Sequence, residues 1–330
     1  AQGIPARPEC LLVTAGSQRA IGLVTTLLAR PGDAVVVERP TYPGALELFR
    51  ARGLRVVGAP TDGLGLRVDA LEPLLARHRP RLLYVIPNFQ NPTGACLPAS
   101  RRRALLALAA RHGVPIVEDD YVGDLRYEGR AQPALKALDP GGHVVYVSTF
   151  SKMLMPGLRI GFVLADGPVV ERLAHLHRME ELAGCLPIQR ALAGFVDIGR
   201  YRAHLRRACR AYRGRRDAMV AAAARHLGGE VTWLAPQGGL FLWLRLPPGC
   251  DAAALLPHAA AAGVQFAPGA AFFPTPAEGR RHARLCFAGH EPGVLEEALR
   301  RLGRALLVHR GAMATGRRPG TTPGTGQRRS

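Results

Sequence analysis

Up to about residue 166 the chain alternates short apolar runs with amphipathic stretches, and this alternation limits its fold more than any other feature. Short apolar runs bounded by turn residues read as buried strands, and apolar positions three and four apart read as helices packed on them. Their repetition predicts an α/β fold, a mixed and mostly parallel sheet flanked by helices. Strands are expected over Leu11 to Thr14, Ala34 to Glu38, Arg55 to Gly58, Leu82 to Ile86, Pro115 to Glu118, Val144 to Val147 and Ile160 to Leu164. Helices are expected over Ala20 to Ala29 and over Ser100 to His112, which Gly113 stops as a C-cap glycine. Further on, a long basic helix is predicted over Arg200 to His226, a strand over Gly239 to Leu246 and an amphipathic closing helix over Gly293 to Val308. The 330 residues exceed one ordinary core. They divide most simply into a large unit over 1–195, a smaller C-terminal α+β unit over 196–309, and a basic, Gly/Pro/Thr/Arg-rich tail over 310–330 that is predicted to be disordered.

Composition excludes several classes. Apolar residues at 48% with 21% charged describe a soluble globular chain. The net charge of +19 invites a nucleic-acid reading, but the arginines are scattered over helical faces, aromatics make up only 6%, and no direct nucleic-acid binding is expected. Arg202, Arg206, Arg210 and Arg213 lie on or near one helix face and read as a solvated surface. The six cysteines form no CxxC pair and no metal spacing with histidine, so free thiols, a reducing cytoplasm and no metal are expected. No apolar run approaches the roughly 18 residues that span a membrane, and no signal-peptide pattern opens the chain. The first residue is Ala1 and a strand follows almost at once, so a further segment is expected upstream.

Four stretches carry chemistry. The sequence holds 44 lysines and arginines, of which only Lys136 and Lys152 are lysines. A primary amine forms an imine with an aldehyde where a guanidinium does not, so Lys152, in Thr149-Phe150-Ser151-Lys152 after a strand, is a candidate Schiff-base lysine; Lys136 reads as a solvated surface residue. Thr14-Ala15-Gly16-Ser17-Gln18 joins a strand to a helix start and offers backbone N–H groups to a phosphate, although an N-cap serine accounts for the same residues. Asn88-Phe89-Gln90-Asn91-Pro92-Thr93-Gly94 falls at a strand's carboxyl end, where α/β sheets bind ligands, and reads also as a polar turn. Glu118-Asp119-Asp120-Tyr121 crowds three carboxylates at a strand end, which suits a site facing a cation; a helix cap and a metal site are the competing readings, the latter without a nearby histidine. There a carboxylate suits a protonated pyridine nitrogen, and the Tyr121 phenol suits a ring oxygen. Arg159 follows Lys152 by seven residues and suits a phosphate. Phosphate seat, ring-nitrogen carboxylate, ring-oxygen partner and imine lysine together fit pyridoxal 5'-phosphate, an aldehyde cofactor that acts as an electron sink.

With these residues the chain resembles the fold-type I aminotransferases, in the class I/II branch that includes aminoadipate- and kynurenine-type enzymes. The same domain is fused to a winged helix in MocR-type regulators of the GntR family. The resemblance runs from about Pro8 to Leu307 and rests on GSQ, PTYPGAL, PNFQNPTG, EDDY followed by GDLRYEG, and STFSKMLMPGLRIGF, in family order. It implies a pyridoxal-phosphate-dependent transaminase that moves an amino group between an L-amino acid and a 2-oxo acid through a Schiff base at Lys152. By the same resemblance Asp119 pairs with the ring nitrogen, Asn91 donates to the phenolic oxygen and Tyr42 stacks on the ring. Gly16, Ser17, Gln18, Thr149, Ser151 and Arg159 hold the phosphate, and Arg284 clamps the substrate carboxylate. A homodimer is implied, as is an N-terminal part preceding the GSQ strand. EDDY at Tyr121 matches the regulators, whereas the enzymes place the tyrosine where this chain has Val122; NFQNPTG and Pro236-Gln237-Gly238-Gly239 match the enzymes. Gly44 has no arginine of the kind a γ-amino-acid-binding relative uses there. The rival reading is the effector-binding domain of a MocR/GntR-type regulator.

Overall fold

A computed structural model of the chain describes residues 3–314. Its elements are β1 (Leu11–Thr14), α1 (Ser17–Leu28), β2 (Ala34–Arg39), α2 (Pro43–Ala51), β3 (Arg55–Asp62), β4 (Gly65–Leu66), α3 (Glu72–His78), β5 (Leu82–Val85), α4 (Ala99–His112), β6 (Ile116–Asp120), α5 (Leu135–Leu138), β7 (Val144–Thr149), β8 (Gly161–Leu164), α6 (Gly167–Glu181) and α7 (Leu186–Asp197). The second part of the chain adds α8 (Arg200–His226), β9 (Thr232–Trp233), β10 (Phe241–Arg245), α9 (Ala252–Ala261), β11 (Ala267–Pro268), β12 (His282–Cys286) and α10 (Pro292–Ala314).

Eight strands form one sheet in the order β1-β8-β7-β6-β5-β2-β3-β4. Strands β3, β2, β5, β6 and β7 run parallel, while β8 lies antiparallel between β7 and β1, and β4 closes the other edge antiparallel to β3. The central strands are buried on both faces, as their near-continuous apolar sequences require. Period-two alternation sorts their side chains. Val35, Val37, Leu82 and Tyr84 join the core beneath α1 and α2, whereas Val36, Leu83 and Val85 face a second layer with Leu75, Leu105 and Leu108. The smaller antiparallel sheet, ordered β11-β12-β10-β9, has its own core against α8, α9 and α10.

Two expectations change. Strand β6 runs two residues past Glu118, so Asp119 and Asp120 are strand residues with opposite faces. The closing helix continues to Ala314, so 310–314 are helical and not tail; Leu302, Ala305 and Leu306 bury its inner face before that extension, and residues 315–330 lie outside the described residues. Arg202, Arg206, Arg210 and Arg213 are exposed, as expected, but the next turn of α8 buries Arg216, which donates to Glu128, Asp217 and the Pro236 carbonyl.

Candidate active site

The loops after β5, β6 and β7 leave the same carboxyl edge of the sheet, and the small sheet covers them. Between the two lies a cavity of about 240 Å³ lined by Ser17, Gln18, Tyr42, Ile86, Asn91, Asp119, Tyr121, Thr149, Ser151, Lys152, Arg159, Phe241 and Arg284. A wider groove of about 800 Å³ over Asp62, Arg101 and Arg111 lies elsewhere and holds exposed ion pairs.

Strand alternation separates the three carboxylates. Glu118 points away from the cavity and accepts from the Leu135 and Lys136 N–H groups at 2.8 and 2.9 Å, capping α5. Asp120 points the same way and accepts from Asn88 Nδ2 at 3.0 Å and the Tyr146 hydroxyl at 2.7 Å. Beneath it Arg102, wholly buried, donates to Asn88 Oδ1 and to the Pro87, Leu97 and Pro133 carbonyls. Only Asp119 faces the cavity. Its Oδ2 accepts from the Tyr84 hydroxyl at 2.6 Å, and its Oδ1 is buried with no partner. Burial pushes the Asp119 carboxyl up to about 7, the Tyr84 bond working against that and Asp120 adding to it.

The turn expected to seat a phosphate is built by close backbone approach. Gly16 caps α1 at φ +97°, and a Cβ there would stand 2.8 Å from Arg159 Nη2. Gly161, paired with Thr14 across β1 and β8, lets the two backbones close, since a Cβ on it would meet the Gly16 carbonyl carbon at 2.5 Å. Arg159, at φ 49°, thereby reaches the Ala15 carbonyl at 3.2 Å while lining the cavity. Ser151 Oγ is buried without a partner. Thr149 spends its hydroxyl proton on the Ile160 carbonyl at 2.9 Å and accepts from the Ser151 N–H, shaping the turn that carries Lys152. Gln18 Nε2 is likewise engaged with the Gly44 carbonyl at 2.8 Å.

The loop after β5 is held from below and above. Gln90 donates to the Pro40 carbonyl at 2.8 Å and to buried Glu38, and accepts from the Thr93 N–H and hydroxyl. Phe89, at φ 47°, lies under Gly238 and Gly239, where any Cβ would strike its ring or its Cβ, and Arg126 covers that ring at 4.7 Å. The Tyr127 hydroxyl donates to the Gly239 carbonyl, and the Gly239 N–H donates to the Leu125 carbonyl at 2.9 Å. This seam brings β12 over the loop. Arg284 Nη1 then donates to Asn91 Oδ1 at 2.9 Å, its guanidinium 4.0 Å from the Phe241 ring centroid, and its Nε is buried without a partner.

All the sequence-predicted site residues except Gly16 line this cavity, and Gly16 sits behind Arg159. Tyr121 lines the cavity, and its phenol donates to the Phe89 carbonyl at 3.0 Å, which braces the Asn91 loop. Val122, where the enzymes carry their tyrosine, is core. Sequence reasoning missed Tyr84, Ile86, Phe241 and Gly161. Tyr84 and Ile86 share the face that carries Asp119 on the next strand, and strand period is the signal that finds them. Lys152 is exposed at the cavity, and among the described residues nothing hydrogen-bonds or ion-pairs with its ammonium; Lys136 is paired to Asp166 at 2.9 Å. No group of metal-binding side chains occurs among the described residues, where no helix is long and apolar enough to cross a membrane and all six cysteines are free.

Comparison with known proteins supplies the family. The family model for aminotransferase class I and II matches residues 2–302. The chain belongs to the class I and II aminotransferases. This aminotransferase is 38% identical over 311 residues to the 2-aminoadipate transaminase of Thermus thermophilus, covering 93% of this chain and 77% of that one. It is 35% identical to the HTH-type transcriptional regulator TauR of Rhodobacter capsulatus, over 92% of this chain and 62% of the regulator. Among solved structures, the α-aminoadipate aminotransferase LysN of Thermus thermophilus, complexed with N-(5'-phosphopyridoxyl)-L-leucine, superposes with a TM-score of 0.88 at 36% identity, over 93% of this chain and 79% of that one. The cofactor of this aminotransferase is pyridoxal phosphate, and the cavity fits it. Asp119 Oδ1 lacks the donor that a ring N–H supplies, and Ser151 Oγ faces the seat that an anion fills.

Proposed function

We propose that the cavity between the two sheets is the site at which this aminotransferase moves an amino group between an L-amino acid and a 2-oxo acid, with Lys152 as the reacting amine. The observation that carries the reading is the unpartnered Asp119 Oδ1 on the wall of the cavity that Lys152 lines. Bound pyridoxal phosphate supplies an aldehyde for the amine and a conjugated ring that draws electrons from the substrate α-carbon.

The chain's own groups do the rest. The open N–H groups at the start of α1, with Ser17, Gln18, Ser151 and Arg159, hold the phosphate, and Thr149 fixes the turn beside them. Asp119 Oδ1 holds the ring N–H. With its Oδ1 tied to Arg284, Asn91 presents Nδ2 to the phenolic oxygen, and Tyr42 covers the ring. Arg284 takes the substrate carboxylate in a bidentate pair. Lys152 Nζ then takes and returns the proton at the substrate α-carbon as general base. The Tyr42 phenol lies over Gly44, where a Cβ would stand 2.5 Å from its Cζ, so a side chain at position 44 requires the tyrosine ring to move.

The same reading divides the chain into a cofactor-binding unit over 1–195 and a smaller unit over 196–309, in keeping with the two separate cores. It places the protein in the cytoplasm. A homodimer is part of the proposal: Met179, Leu182, Leu186 and Ile198 are exposed around α7, near the phosphate seat, and a second copy would cover them. Likeness to a regulator favours a second reading, an effector-sensing domain that binds the cofactor without turnover.

The test is absorbance of purified protein with added pyridoxal phosphate, for wild type and Lys152→Ala, followed by turnover of an amino-acid panel with 2-oxoglutarate. A visible band that requires Lys152 is expected, and turnover separates enzyme from sensor. A band that survives in Lys152→Ala refutes the lysine assignment.

A further inference from the structure

One polar group packed behind Asp119 has no part in that mechanism. Tyr84 lies on β5 beside Val117 of β6, fully buried, with its ring edge-on to Phe49 at 5.7 Å. Phenylalanine would fill this apolar position without burying a hydroxyl, and a buried hydroxyl is retained at a cost unless it is bonded. Its bond is the 2.6 Å donation to Asp119 Oδ2. Among the described residues Tyr84 is the only donor to that carboxyl.

Burial works against ionisation of Asp119 and neighbouring Asp120 adds to that, while the cations Lys152, Arg159 and Arg284 on the same cavity wall favour it without bonding to it. Glu38 of β2, itself pushed up to about 8, stays uncharged at neutral pH, and the phenols of Tyr42 and Tyr121 bring no charge of their own. An acid protonated on Oδ1 would present a donor to the cofactor ring and leave the ring nitrogen bare. An ionised carboxyl presents an acceptor and holds the nitrogen's proton. A phenol O–H directed at Oδ2 stabilises the carboxylate and leaves Oδ1 as its acceptor toward the cavity.

We propose that Tyr84 is a positioning residue that keeps Asp119 ionised and turns Oδ1 to the ring nitrogen of pyridoxal phosphate. The inference rests on the reading of the cavity as the cofactor site. The test uses full-length protein carrying Tyr84→Phe, or Tyr84→Met if the first is poorly folded, alone and with Asp119→Asn. Two quantities are measured: the dissociation constant for pyridoxal phosphate, and the ¹⁵N chemical shift of the ring nitrogen in protein loaded with ¹⁵N-labelled cofactor.

Loss of a hydrogen bond to a charged group weakens binding about tenfold or more, and the resonance is expected to move toward that of a neutral pyridine. In the Asp119→Asn background the tyrosine change is expected to add nothing further. A merely structural tyrosine would lower thermal stability without moving the resonance. Wild-type affinity and resonance in the Tyr84 variants, or a full additive loss with Asp119→Asn, would overturn the role of Tyr84 alone. Wild-type protein that takes up no pyridoxal phosphate would overturn the reading of the cavity itself.

Discussion

Arg284 of the small sheet and Asn91 of the loop after β5 meet across the cavity, so the proposed carboxylate clamp and ring-oxygen donor are tied by one hydrogen bond. Replacing Arg284 by Lys keeps the charge and removes the planar fork. The expected result is a rise of about tenfold or more in KM for the amino acid, the size of a lost charged hydrogen bond, with a smaller change in kcat; steady-state kinetics at fixed 2-oxo acid measures it. At this scale the sequence shows residues whose chemistry is scarce or out of place. One of two lysines, three adjacent carboxylates and a polar run at a strand end are visible without coordinates. Tyr84 is not, because a tyrosine inside an apolar strand reads as core until its hydroxyl is seen on Asp119. The bond of the Tyr121 phenol is hidden too, because only the turn at Phe89 brings the backbone carbonyl that accepts it near.

Elements hold the site through contacts no propensity describes. Gly161 reads as an ordinary strand residue, yet its missing side chain lets β8 close on the turn at Gly16. Gly161→Ala is expected to cost about 1–3 kcal/mol as overpacking against rigid backbone, read as a lower urea midpoint, and to weaken cofactor binding by displacing Arg159. Arg102 on α4 ties three loop carbonyls and Asn88 into one buried knot beside Glu118. Arg102→Met strands those acceptors and the carboxylate, and a loss of roughly 3–5 kcal/mol in denaturant unfolding is expected; a loss below about 1 kcal/mol would count against the knot. The end of α4 was legible because Gly113 caps it in the left-handed region, and the end of β6 was less so, where charged residues continue a strand because each finds its own partner.

Taken whole, the molecule carries buried carboxyls that oppose stability at high pH. Burial raises Glu38 to about 8 and Asp119 to about 7, whereas both ionise near 4 when unfolded. Between those values the folded chain holds more protons than the unfolded one. Their contribution is therefore fully present at acid pH and is lost as pH rises through 7 and 8. Cofactor-free protein should show a falling thermal midpoint from about pH 5 to pH 8, and Glu38→Gln should flatten the upper part of that fall; a rising midpoint would contradict both assignments. The two-sheet plan was legible from the alternation of runs, but the seam between the sheets was not, since it joins Phe89 to glycines some 150 positions away, a separation read from the numbering. That seam sets an order of events during synthesis. The ribosome releases Lys152 well before Gly238 and Gly239, the residues that close over the Asn91 loop. For that interval a nascent chain carries the amine proposed to react with no finished ring site around it, and the aldehyde in the surrounding solution meets it only as it meets any other surface lysine.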